Sequence, residues 1–378
     1  MAAPAWQPVA GSERHVAIDV LRGVALFGVL LVNLMDGFRV PLFAHMSGAA
    51  DPLGPTEQAI EALIAIFVEF KAFTLFSFLF GVGAAIQSER AAARGVRVRP
   101  FLARRFAILF LFGLAHIVFL WNGDILALYG LCGALLAALI GTSNTVLCIV
   151  GAALVIVPHF VPLPVHWPST ETMRADVRDA LRIYANGGYF EILAFRCREA
   201  WGLVVPVWLS SLPRTAGLML LGVAAWRSGA LTSDRAMIKR LVIWAGAIGV
   251  GATCVRYSLL ARYIPGGLLD LVPILGLAFA YGAAVLLWLP RARPLAALGQ
   301  MALTNYLMQS VILVFVFYGF GLGLFGKMSA PAGVLLAIAL YAAQAAASVY
   351  WLRRFRYGPF EWVWRSLTYG KAQRMRLQ

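Results

Sequence analysis

The sequence predicts an all-α, polytopic integral membrane protein: one bundle of about ten transmembrane helices with both termini in the cytoplasm. Three observations predict it. Of 378 residues, 61% are hydrophobic and 13% charged. A soluble domain carries about a quarter charged residues, so this chain has too few polar side chains to cover a globule in water. Apolar windows of about 20 residues, the length needed to cross a bilayer core of ~30 Å, recur along the chain. Lys and Arg gather in alternate connections between those windows, as they do in cytoplasmic loops.

The elements follow in order. Residues 1–15 form a short polar N-terminus containing Arg14. The apolar run from Val16 to Leu34 is longer than the ~7–15 residues of a signal-peptide core, and no small-x-small cleavage site follows it, so it reads as a retained signal anchor. The windows fall near 16–35, 62–86, 102–121, 124–141, 144–163, 201–226, 241–258, 268–289, 295–320 and 331–352. With the N-terminus inside and sides alternating, twenty Lys and Arg lie in inside segments and nine outside. That asymmetry orients the bundle and accounts for the net charge of +15 without a nucleic-acid partner.

The outside connection at 164–200 opens with Ser169-Thr170-Glu171, good helix-capping residues. Met173, Val177, Leu181 and Tyr184 follow on one helical face, which predicts a surface helix over the mouth of the bundle. In the basic tail at 353–378, Pro359 precedes Phe360, Val363, Trp364 and Leu367, an amphipathic stripe suited to lipid at the inner interface. The cysteines Cys132, Cys148, Cys197 and Cys254 form no CxxC pair and have no histidine at ligand spacing. Neither a disulfide framework nor a metal is therefore expected. No internal repeat is evident.

Ionisable groups inside a span cost at least ~2.5–3.5 kcal/mol each, so those present must be paired or face a watery cavity. Asp19 and Arg22 stand three apart at the inner end of the first span and can pair, either structurally or facing a ligand. Asn33 lies about 16 Å further up that helix. Glu69 and Lys71 open the second span, ahead of an aromatic stripe. His116 nears the outer end of the third, with Asp124 just beyond a tight turn and able to hydrogen-bond it. Arg214 falls near mid-membrane, and Asn305 and Gln309 sit one turn apart in the ninth window, where interhelical hydrogen bonding is the plainer reading. Together with Asp19, residues Lys71, Arg214, Asn305 and Gln309 outline a polar path from the inner face to an outer pocket.

Several blocks carry a family resemblance. Ile18-Asp19-Val20-Leu21-Arg22-Gly23 through Val32-Asn33, Leu75-Phe76-Ser77-Phe78-Leu79-Phe80-Gly81 and Gly123-Asp124-Ile125-Leu126 are the first three. Gly217 to Gly222, Ala302-Leu303-Thr304-Asn305-Tyr306 through Ser310, and Gly358-Pro359-Phe360-Glu361-Trp362 complete them. In number and order these blocks resemble the YeiB-like bacterial inner-membrane family, whose C-terminal half, here 210–378, is known as domain of unknown function 418. The opening Asp-x-x-Arg-Gly-x-Ala-Leu followed by Val-Asn is also similar, more distantly, to the heparan-alpha-glucosaminide N-acetyltransferases. Those enzymes pass an acetyl group from cytoplasmic acetyl-CoA across the membrane to a sugar amine. That resemblance implies Asn33 and a following histidine as the catalytic pair; His45 is nearest in spacing, and His116 is its rival.

Two function classes follow. In the first, a transmembrane acyltransferase, acyl-CoA is the co-substrate, its phosphates held by Arg22, Arg104 and Arg105. His45 or His116 is the general base, Asn33 donates to the oxyanion and Asp124 orients the base. The acceptor, a glycan or lipid-linked hydroxyl or amine, arrives from outside. In the second, a transporter, the same polar residues line a path and no covalent chemistry occurs. A scaffold role, and an oligomeric assembly in the bilayer, are also compatible with the composition.

Overall fold

The computed structural model describes residues 16–48, 54–161, 163–232, 234–263 and 266–377. Arg14 and the rest of the N-terminus lie outside them. α1 (Val16–Asn33) continues through a π-turn at Leu34–Phe38, and the single turn α2 (Ala44–Ser47) follows. α3 (Pro55–Phe67) leads into α4 (Lys71–Ala93) across Phe70, whose φ of 59° is a left-handed conformation unusual for a bulky residue. α5 (Val98–Phe119) and α6 (Leu126–Leu139) pack as a close hairpin, because Gly113 and Gly130 leave no side chain between the two helices. α7 (Asn144–Ile156) starts at Ser143, whose hydroxyl accepts the Val146 N–H at 3.3 Å.

α8 (Thr170–Asn186) and α9 (Tyr189–Glu199) cover one end of the bundle, hereafter the cap end. Ser169 caps α8 as its sequence predicts, accepting the Thr172 N–H at 3.1 Å. The buried face of α8 carries Met173, Val177, Ala180, Ile183 and Tyr184. Leu181 is 39% exposed and lies off that face, which corrects the stripe read from spacing: Ala180 and Ile183 take the inward positions. α10 (Val205–Arg227), α11 (Arg235–Arg256), α12 (Gly266–Trp288) and α13 (Arg293–Gln300) follow. The chain then turns by 81° at Met301 into α14 (Ala302–Phe317), and α15 (Ala330–Leu352) and α16 (Pro359–Tyr369) complete it.

Among the described residues, seven helices are long and apolar enough to cross a membrane, or eight if α13 and α14 form one bent span. The ten windows of the sequence exceed this because α6 and α7, of 14 and 13 residues, rise only about 20 Å each. Apolar residues flanking α6 and α7 fold into connections instead of prolonging the helices.

The other end, hereafter the tail end, holds the start of α1, the α4–α5 connection and α16. The α16 stripe also divides. Glu361, Trp364 and Thr368 face the bundle, while Phe360 and Leu367 are exposed. Glu361 accepts the Thr304 N–H at 3.0 Å and the Thr304 hydroxyl at 2.5 Å, capping α14 just after its bend. Burial holds the Glu361 carboxyl above the usual carboxylate range.

α4 and α10 cross with backbones touching: a Cβ on Gly81 would overlap the Met219 carbonyl, and one on Gly222 the Phe78 carbonyl. Neither neighbour can rotate away. Gly222→Leu is expected to destabilise the protein by about 3 kcal/mol or more, since overpacking against backbone exceeds the usual 1–3 kcal/mol of a core misfit. Thermal unfolding in detergent checks this; a melting temperature equal to wild type would contradict the crossing.

Candidate functional site

The last turn of α5 carries His116 into the packed interior, and the short α5–α6 connection returns Asp124 beside it. His116 Nδ1 lies 3.0 Å from Asp124 Oδ1, and His116 Nε2 lies 2.8 Å from the hydroxyl of Ser310 on α14. All three residues are buried. The second Asp124 oxygen accepts the Ala127 N–H at 2.6 Å, so the carboxylate doubles as a cap on α6 and cannot swing away. Asp124 is acceptor-only when ionised, which assigns the imidazole proton to Nδ1 and leaves the Nε2 lone pair for the Ser310 O–H. The Nδ1–Oδ1 approach is bent out of hydrogen-bond alignment. Chemically this is a serine, a base and an orienting carboxylate drawn from three separate chain segments.

Tyr306 lies one turn before Ser310 on α14. Its ring centroid is 5.2 Å from that of His116, and its hydroxyl is 3.4 Å from both the Ile125 N–H and the Gly123 carbonyl. On its other side Tyr306 forms, with Ile125 and Tyr129, the deep wall of a cavity of about 150 Å³. Towards the tail end that cavity is lined by Arg22, Gln87, Arg105, Glu361 and Arg365. Arg105 is buried, with its guanidinium 3.5 Å from the centre of the Trp364 ring and its Nη1 unpartnered. From Arg105 to His116 along α5 is about 16 Å of helix rise. The cavity therefore runs from a cationic mouth past Phe76, Phe80 and Tyr129 to Tyr306, whose ring stands between it and His116.

The other residues singled out in the sequence separate into groups. Asp19 accepts from Arg22 Nη1 at 3.2 Å, the pair their spacing predicts. Arg104 is exposed and lies by Gly370 at the C-terminus of α16, where a cation suits the helix dipole, and it does not line the cavity. Lys71 and Arg214 line a second cavity of about 310 Å³ at the cap end, with Glu69, His159, Arg256 and Asp270. Lys71 donates to the Ala65 carbonyl at 2.9 Å, and Arg214 lies over the rings of Phe70 and Phe73. The two cavities share no lining residue, so the polar residues do not line one common void.

Asn305 and Gln309 form a ladder to α15. Asn305 Nδ2 donates to Ser348 at 3.0 Å, and Gln309 Nε2 donates to Gln344 Oε1 at 2.8 Å. They therefore join helices and do not reach either cavity. Asn33, at the end of α1, is half-buried, and its side chain makes no hydrogen bond among the described residues. The His45 side chain lies outside the described residues. Among those described, no group of three or more His, Cys, Asp and Glu is placed to hold a metal. Sequence reasoning missed Ser310, Tyr306, Gln87, Glu361 as a helix cap, and Arg365. Nothing local distinguishes them; only the α13–α14 bend and the docking of α16 bring them in.

The cap holds a further buried cluster. Glu199 Oε2 accepts from Asn122 Nδ2 at 2.7 Å and from the Tyr184 hydroxyl at 2.5 Å. Burial above all, with Asp176 adding to it, pushes the Glu199 carboxyl up to about 7, from an ordinary value near 4.5. The folded state therefore binds more protons than the unfolded state between about pH 4.5 and 7. Stability contributed there is present at acid pH and is lost as pH rises through 7. Glu199→Gln keeps an oxygen acceptor for both partners but cannot ionise. It is expected to match wild type at pH 5 and to exceed it at pH 8 by on the order of 3 kcal/mol in chemical denaturation; an equal difference at both pH values would contradict this.

Comparison with known proteins adds the following. A family model described as "Protein of unknown function (DUF418)" matches residues 225–371. Over 393 aligned residues the chain is 35% identical to "Uncharacterized protein YxaH" of Bacillus subtilis (strain 168), covering 96% of each. It is 32% identical to "Uncharacterized protein YeiB" of Escherichia coli (strain K12), covering 94% of this chain and 96% of that one. A 39.9 kDa protein encoded in the amylase 3' region of Bacillus acidopullulyticus is 27% identical over 96% of both. The similarity thus runs through α5 and α14, which carry the buried histidine and serine, as well as the C-terminal half.

Proposed function

We propose, from the premise that the chain belongs to the DUF418 family and is a multi-pass membrane protein with bacterial relatives, that it is a transmembrane acyltransferase of the bacterial inner membrane. The observation that carries this reading is His116, bracketed by Asp124 and Ser310, one tyrosine ring away from the end of an arginine-mouthed cavity. The excess of Lys and Arg in the tail-end segments supports a cytoplasmic mouth and cytoplasmic termini. The cap then faces outward.

In this reading acyl-CoA docks its phosphates at Arg22, Arg105 and Arg365, with Arg105 Nη1 free to take a charge-assisted hydrogen bond. The thioester arm follows the aromatic barrel inward and displaces the Tyr306 ring. An acceptor hydroxyl or amine from the outer side attacks the thioester carbonyl while His116 Nε2 takes its proton. The thiolate leaves, is protonated, and departs as CoA. The Tyr306 hydroxyl, the Ile125 N–H and the Asn33 amide are the candidate donors to the oxyanion. Asp124 holds the imidazole in the required tautomer.

The size of the cavity selects the donor. A void of about 150 Å³ has room for a group of roughly benzene size, less than the thioester arm itself fills, so the barrel must widen for any donor, and acetyl- and propionyl-CoA, which ask the least of it, are expected to turn over faster than palmitoyl-CoA. The test is transfer or hydrolysis of labelled acyl-CoA by the purified protein across that chain-length series. A profile rising with chain length would contradict the assignment of the cavity.

Two separate cavities, one towards each end of the bundle, favour transport as the second reading. Uptake of an anionic solute by proteoliposomes with no acyl turnover would select it.

A further inference from the structure

Arg196 on α9 is fully buried at 0% exposure. Its Nη1 donates to the Val118 carbonyl at 3.0 Å, two residues beyond His116. Its Nε and Nη2 have no partner. Those two atoms form the side-on edge of the guanidinium, whose parallel N–H bonds match the two oxygens of a carboxylate or of a phosphate monoester. The nearest acid, Glu199, is already committed to Tyr184 and Asn122 and makes no ion pair with Arg196. Asn122 Oδ1 is likewise buried without a donor. The Tyr318 ring, 5.8 Å from the guanidinium carbon, and the charge interaction with Glu199 do not satisfy those two N–H groups, and buried donors left unpaired are costly in a protein interior. The cap thus encloses an unpaired guanidinium edge held to the Val118 carbonyl, two residues along the chain from His116.

We infer that the Arg196 fork is a recognition site for a single acidic group, a carboxylate or phosphate monoester, on an acceptor entering from the cap end. This names the acceptor class for the transfer reading and rests on that reading only for what the site serves. Entry requires α8 and α9 to lift.

The test is a titration of the full-length protein in detergent with D-glucuronate, glucose 6-phosphate and glucose at constant ionic strength, read as the shift in melting temperature. At least one of the two anions should stabilise saturably and glucose should not. The anion that does so tells a carboxylate from a phosphate source. Arg196→Lys keeps the charge but loses the fork, and Arg196→Gln loses both. Each should weaken binding about tenfold or more, while the exposed control Arg198→Gln leaves it unchanged. If Arg196→Gln fails to fold, the wild-type titration and Arg196→Lys still decide. Wild type that responds to neither anion, or Arg196→Lys with unaltered affinity, overturns the site. The titration contains no acyl donor and reads the fork alone: anion binding beside a negative acyl-CoA transfer assay refutes only the acyltransferase, and transfer without anion binding refutes only the fork.

Discussion

His116→Gln is expected to lower acyl transfer by about 10²- to 10⁴-fold in turnover, the usual contribution of a positioned general base, with donor affinity nearly unchanged. Glutamine fills much of the imidazole volume and still offers an amide to Asp124 and Ser310, so folding should survive. The loss belongs in kcat because His116 stands behind Tyr306, away from the arginines that hold the donor. Asp124→Asn should fall in the same direction, since an amide at that position no longer enforces the Nδ1–H tautomer. It should also disturb the start of α6, where Asp124 accepts the Ala127 N–H. Steady-state transfer with both variants, beside their thermal unfolding, checks the pair. If His116→Gln keeps wild-type turnover, the buried histidine is a packing residue.

Arg105→Gln is expected to raise the dissociation constant for CoA about tenfold or more, the value of one charge-assisted hydrogen bond withdrawn from a partly desolvated site. Arg105 is buried, stacked on Trp364, and retains an unpartnered nitrogen at the cavity wall. The exposed Arg104 serves as the control: Arg104→Gln should change affinity little, because surface charge is screened and the residue lies by the end of α16. Calorimetric titration of both variants with CoA separates them. Equal losses would show that the arginines act only through long-range charge.

The contrast between Arg104 and Arg105 shows what the sequence could and could not convey. Hydropathy and charge placement were enough for the membrane class, because each depends on composition over about twenty residues and not on contacts. The Asp19–Arg22 pair and the meeting of His116 with Asp124 were legible for a similar reason: helix geometry or a short turn brings the partners together. Which of two adjacent arginines points inward depends on the docking of α16, whose Trp364 N–H bonds to the Arg105 carbonyl at 2.9 Å. Ser310 stands 194 residues from His116, and no local pattern links them. The expectation of one uninterrupted polar path treated every intramembrane polar residue as part of one feature. Packing instead places Asn305 and Gln309 between helices and divides the rest between two cavities with no lining residue in common. The count of candidate spans differs for a related reason, since hydropathy cannot tell a short helix with apolar flanks from a full crossing.

The most direct measurement is a cryo-electron microscopy map of the full-length protein incubated with a non-hydrolysable acetyl-CoA analogue. The account predicts density for the phosphates at Arg22, Arg105 and Arg365, the arm running past Phe80 and Tyr129, and the acetyl group beside His116 with the Tyr306 ring displaced. An empty cavity at saturating analogue, or analogue bound with its acetyl group at the cap-end cavity of Lys71 and Arg214, would contradict it.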